Sequence, residues 1–151
     1  MPEAKTLERV RSDRKAGKAP STQAGEFIRE EMDHIRQGKH GARSAKQAIA
    51  IGLSKARRAG VELAPPAPGK SSEQTRKRAA RDYARGHGAP ARSSSSAKRS
   101  RASEDALKRE SKAAASPQAL SRHAHAVAKS KSSRQRSAAA RKAAHTRQAH
   151  V

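Results

Sequence analysis

Gly38-Lys-His-Gly-Ala-Arg-Ser-Ala-Lys-Gln-Ala-Ile-Ala-Ile-Gly-Leu-Ser-Lys-Ala-Arg-Arg-Ala-Gly60 is the stretch that decides the fold. Ser44 with Gln47 three residues later makes a capping box, in which the Ser oxygen takes the third helical N–H and the Gln side chain reaches back. Behind it, Ala45, Ala48, Ile49, Gly52, Leu53 and Ala56 recur at helical spacing and form one face. Gly60 closes the helix. A Gly in a helix interior costs about 1 kcal/mol relative to Ala. Gly52 stands in the middle of the apolar face, so a second helix is expected to approach closely there.

Working toward the N-terminus, Ala24, Phe27, Ile28, Met32 and Ile35 fall at steps of three, one, four and three. That is a second helical stripe, stopped by Gly38 as a C′ residue. Ala19-Pro20-Ser21-Thr22 reads as a stop followed by a cap candidate. Leu7 and Val10, three apart, make residues 2–18 a short helix or arm. Residues 1–63 are therefore expected to form a small two- or three-helix module. Its core would be Phe27, Ile28, Met32, Ile35, Ile49 and Leu53, joined by Leu7, Val10 and Val61. A core of that size gains from a homodimer.

Toward the C-terminus the composition changes. Ala64-Pro-Pro-Ala-Pro-Gly69 places an extended linker at 64–71. Of the sixteen large apolar residues, Leu107, Leu120, Val127 and Val151 are the four that follow it. Residues 72–151 are accordingly expected to be a largely disordered, Ala/Ser/Lys/Arg-rich tail with transient helices. The fold class expected is all-α, a short module followed by that tail. Within the tail, residues 72–86 carry a Ser cap, an acidic first turn and a Gly stop, and 93–96 are a flexible Ser run. Ser103-Glu-Asp-Ala-Leu-Lys-Arg109 matches Ser116-Pro-Gln-Ala-Leu-Ser-Arg122, and Ser137 to His145 is a weaker third copy. Each copy reads as starting with an N-cap Ser, and Pro117 suits a first helical position.

Composition bounds the function. The 151 residues hold 35 Lys/Arg against 13 Asp/Glu, a formal charge of +22, with two aromatic residues and no Cys. The absence of Cys excludes disulfides, thiolate zinc and thiol catalysis. No apolar run approaches a membrane span, and residues 1–10 lack the apolar core of a secretory signal. A cytoplasmic protein with polyanionic partners is the expectation. Residues 1–63 hold 14 Lys/Arg and 8 Asp/Glu, whereas 64–151 hold 21 and 5. Candidate phosphate contacts are Lys39, Arg43, Lys46, Lys55, Arg57 and Arg58 around the capped helix. In the tail they are Arg76, Lys77, Arg78, Lys98, Arg99, Arg101, Arg141 and Lys142. Lys39 to Ser44 could also lead a phosphate to the free N–H groups of the helix start. A helix-turn-helix is disfavoured, because the loop from Gly38 to Ser44 exceeds the usual three or four residues. With Tyr83 the single aromatic among the tail charges, dedicated single-strand binding by base stacking is disfavoured too.

Catalysis and metal binding find no pattern. None of the seven His are three or four apart, and adjacent Glu30 and Glu31 diverge by about 100° on a helix. No Ser has a general base beside it, and no nucleotide-binding glycine loop is present. The reading is no enzyme, no cofactor and no metal.

Residues 25–60, above all Lys46-Gln-Ala-Ile-Ala-Ile-Gly-Leu-Ser54, resemble a family of small basic bacterial proteins labelled uncharacterised, DNA-binding or plasmid-stabilisation. The tail is similar in composition to linker-histone-like proteins. The resemblance implies DNA binding and supplies no functional residues to carry over. The function expected is DNA binding without strong sequence preference, in a nucleoid-associated or architectural role. RNA or ribosome association is the alternative, and a protein-interaction module with a basic tail is the third reading.

Overall fold

The computed structural model describes residues 1–90 and 97–149. Seven α-helices lie among them: α1 (Ala4–Lys15), α2 (Pro20–Arg36), α3 (Ala45–Arg58), α4 (Glu73–Gly86), α5 (Ala97–Arg109), α6 (Pro117–Lys129) and α7 (Ser133–Ala149). A 3-10 turn, Lys112–Ala115, follows α5, and the described residues contain no strand. The chain divides into two units, Met1–Ser116 and Pro117–Val151.

The first unit is built on α2 and α3. Phe27 and Ile35 of α2 are fully buried, with Met32, Ala24, Ala48, Ala56, Val10 and Val61 around them. Leu7, Leu53 and Leu63 pack on this core while staying partly exposed. Ile28 and Ile49 are half-buried too. Gly52 does what its position implied. A Cβ there would lie 2.8 Å from Ile28 Cα and 2.9 Å from Ile28 Cγ1, so the α2 backbone runs directly over it. Gly38 and Gly60, both at positive φ, end α2 and α3. Each is followed by paired bonds back into the helix: Gly38 N–H to Ile35 O with Lys39 N–H to His34 O, and Gly60 N–H to Arg57 O with Val61 N–H to Ala56 O. Both are Schellman motifs. Ser44 accepts from Gln47 N–H at 3.2 Å, and the Gln47 side chain reaches back one residue further than a capping box, to Arg43 N–H.

The expectation of a short module with a long disordered tail is overturned. Residues 73–90 and 97–149 are mostly helical, and helix packing in the first unit runs on past residue 63. α4 lies on α3 through buried Ala79, through Asp82, which accepts from Ser54 Oγ at 2.6 Å, and through Gly86 against the Arg57 carbonyl. Further along, Gly41 N–H donates to Leu107 O at 2.8 Å and Ala42 N–H to Ser111 O at 3.1 Å, with Ala114 and Ala115 buried alongside. The physical reason is size. A tally of Leu, Ile, Val, Met and Phe misses surfaces closed by Ala and Gly, where backbones approach directly and close contact replaces bulk.

Several helix starts are also corrected. Pro20 is the first residue of α2 with Ala19 as N-cap, so Ser21 and Thr22 lie inside the helix. Ser72 caps α4 as expected, accepting from Thr75 N–H at 3.2 Å. Ser103 is interior to α5, its hydroxyl bonding back to Arg99 O at 3.0 Å. Ser137 is interior to α7, which Ser132 caps through Gln135 N–H at 3.3 Å. Pro117 does open α6. Residues 64–67 have no regular structure, and Lys70 N–H to Ala67 O closes a turn after them. The Ser run at 93–96 lies outside the described residues.

Candidate nucleic-acid interface

The candidate phosphate contacts separate into two groups once side chains are placed. Lys55, on α3, is consumed by structure. Its Nζ lies 2.7 Å from Glu31 Oε2 and 3.5 Å from Glu30 Oε1, and both carboxylates are 1% exposed. Arg57 is buried, with its Nε donating to Leu63 O at 3.1 Å. Burial pulls its guanidinium below the ordinary value, opposed by the charge of Asp82. These two are corrections: neither offers a free cation to a phosphate. Their helical positions place them outside the α2 face of α3, where sequence reading sees solvent, but Arg57 is covered and Lys55 meets two acids of α2.

Others lie at the surface, Arg76 half-buried among them, but are paired. Lys39 Nζ meets Glu3 Oε1 at 2.9 Å, and that bond, with a second from His34, holds the Glu3 carboxyl down to about 2. Arg43 lies 3.7 Å from Glu110 Oε1, and Arg58 lies 3.8 Å from Asp82 Oδ1. Arg76 and Lys77 share Glu73, at 2.8 and 3.7 Å. Surface pairs of this kind are worth at most about 1 kcal/mol and yield readily to a phosphate.

The remaining candidates, Lys46, Arg78, Lys98, Arg99, Arg101, Arg141 and Lys142, are exposed and have no carboxylate partner among the described residues. Sequence reading missed the company they keep. On α4, Arg78, Arg81 and Arg85 stand three and four apart on one exposed stripe. In the first unit, Arg11, Arg14 and Arg58 line a cleft of about 600 Å³ together with Leu7, Val10 and Phe27. The signal for the α4 stripe was available as plain i, i+3, i+7 spacing. The cleft needs tertiary structure to be seen.

The second unit is the more extreme. Residues 117–151 contain eight Lys/Arg and no Asp or Glu. Every side chain from 124 to 149 is exposed. Arg136 satisfies the end of α6, donating to Lys131 O at 2.8 Å and Ala128 O at 3.3 Å, where a cation also suits the helix dipole. Arg134, Arg141, Lys142 and Arg147 of α7 have no anionic partner within the unit.

The first unit also holds two polar clusters. Tyr83 donates to Glu62 Oε2 at 2.6 Å, His87 Nε2 lies 2.9 Å from Glu62 Oε1, and the two rings stack with centroids 4.0 Å apart. The Tyr83 hydroxyl, then His87, lower the Glu62 carboxyl, while the Tyr83 carbonyl, then Glu62, raise the His87 imidazole. The second cluster is Glu31, His34 and His40, each with a ligand atom within 4.8 Å of the others. Sequence spacing shows Glu31 three residues before His34, which alone reads as an ordinary helical neighbour, and hides His40, which the Gly38 turn folds back beside α2.

No family model matches the chain, and no curated protein or solved structure is significantly similar to it.

Proposed function

We propose that the protein binds DNA through its phosphates, without strong sequence preference, as a nucleoid-associated or architectural protein. The observation that carries this reading is the second unit, with its exposed cations and no carboxylate to neutralise them. Lys and Arg so placed displace condensed counterions from a phosphate backbone, and such contacts carry no sequence information. The unpaired α4 stripe adds to it. No catalytic role belongs to this reading.

The test is a salt titration of binding to random duplex. With about 6–10 phosphates engaged, affinity falls about 10³–10⁵-fold between roughly 50 and 200 mM salt. Replacing Arg134, Arg141, Lys142 and Arg147 by Ala removes up to about four of those contacts and lowers the log–log slope by about 3–4. An unchanged slope overturns the assignment to α7. Tighter binding to RNA than to duplex DNA of equal charge replaces DNA with RNA as the ligand.

A further inference from the structure

The geometry points to a divalent transition-metal site of the zinc class formed by Glu31, His34 and His40. It is independent of the polyanion reading, since none of the three is a phosphate contact. Glu31 is 1% exposed, and neither of its carboxylate oxygens has a hydrogen-bond partner. Lys55 Nζ lies 2.7 Å from Oε2, and His40 Nε2 lies 3.2 Å from Oε1. His40 Nδ1 lies 3.0 Å from the Gly41 carbonyl oxygen. A carbonyl only accepts, so Nδ1 carries a proton, and Nε2 is the nitrogen left to face Glu31 and to serve as a ligand atom. A ring nitrogen held this way by a backbone carbonyl is the usual outer support of a metal-bound histidine.

That leaves His40 Nε2 3.2 Å from a buried carboxylate oxygen that has no hydrogen-bond partner. A positive charge belongs between them, either the second imidazole proton or a metal ion that displaces it. An ion about 2.1 Å from each would subtend about 100°, near the tetrahedral angle, and would sit off the line joining them. His34 brings the third nitrogen. Its ring centroid is 6.1 Å from that of His40, and its ligand atom is within 4.8 Å of the other two. Closure on an ion therefore asks the His rings to move by about an ångström, since ligands of zinc lie roughly 3.3–3.5 Å from one another. His34 Nε2 also meets Glu3 Oε1 at 2.8 Å, a carboxylate that steadies the ring. Two imidazoles and one carboxylate favour zinc, cobalt or nickel over magnesium and calcium, which take oxygen ligands. Three protein ligands leave a fourth position for water. The positive charge of Lys55 on Oε2 limits the site to Oε1 and keeps Glu31 monodentate.

Cobalt(II) is the probe, added to the full-length chain and followed by visible absorption. One equivalent is expected to produce tetrahedral d–d bands. His40→Gln and His34→Gln each weaken binding by about tenfold or more. The double variant His123→Ala/His125→Ala, which removes the closest His pair in sequence, leaves binding unchanged. Zinc(II) raises the thermal transition of the unaltered chain and not that of His40→Gln. In the unaltered chain, the ring resonances of His34 and His40 respond first to cobalt. Bands that persist in His34→Gln/His40→Gln, ring resonances that stay sharp, or no binding at one equivalent each overturn the site.

Discussion

Lys55 shows how a single residue changes role between sequence and structure. Its spacing leaves it outside the apolar face of α3, which makes it read as a phosphate contact. In the structure its ammonium is the counter-charge of two buried carboxylates, Glu30 and Glu31. Lys55→Ala strands those charges, and removing one partner of a buried pair costs about 3–5 kcal/mol. Chemical denaturation should show that loss, while the salt slope of DNA binding stays as it was. Gly52 makes the opposite case, because sequence reasoning placed it correctly. Helix propensity alone says Gly52→Ala gains about 1 kcal/mol. The added Cβ would strike the Ile28 backbone, which cannot give way as a side-chain end can. Overpacking at about 1–3 kcal/mol outweighs the propensity gain. A raised denaturation midpoint for Gly52→Ala contradicts the close approach of α2 and α3.

At the scale of elements, α2 and α3 were legible because period and caps agree: an apolar stripe, a Ser start and Gly stops. α4 was legible as a capped segment but not as a packed helix. Its attachment uses Ala79, Asp82 and Gly86, none of which registers in a search for large apolar residues. Ala79→Leu should therefore loosen α4 from α3 by about 1–3 kcal/mol. Amide exchange would show it as faster exchange in α4 with α2 protected as before. The Tyr83–His87–Glu62 cluster adds a pH dependence to the same attachment. The His87 value is raised above its ordinary 6.5, so its contribution is complete below that pH and lost as pH rises through the raised value. The Glu62 value is lowered below its ordinary 4.5, so its contribution is complete above that pH and lost as pH falls through the lowered value. Nearby Arg14 acts on both groups, lowering each. Attachment of α4 should thus be strongest between about 4.5 and 6.5. Exchange of α4 amides, corrected for intrinsic pH effects and compared with His87→Ala, should lose its difference from the variant by alkaline pH.

For the whole molecule, net charge was legible from composition, and its distribution only in part. The eight cations of residues 117–151 can be counted in sequence, but their display on helices depends on caps such as Ser132 and on the Arg136 bonds to α6. Deleting residues 117–151 should leave the cooperative transition of the first unit in place, because its buried residues all lie before Pro117. A calorimetric transition that disappears on this deletion contradicts that independence. The arrangement of charge on α7 has one more consequence. At 100° per residue, Arg134, Arg141, Lys142 and Arg147, the cations of α7 not bonded to α6, are spread around the helix with no gap wider than about 140°. A helix charged on all sides has no privileged orientation against a polyanion, so many poses are nearly equal in energy. The bound state is then a population of interchanging alignments, favoured by its multiplicity, and losing any one contact lets the helix roll or shift to the next phosphate before it can dissociate.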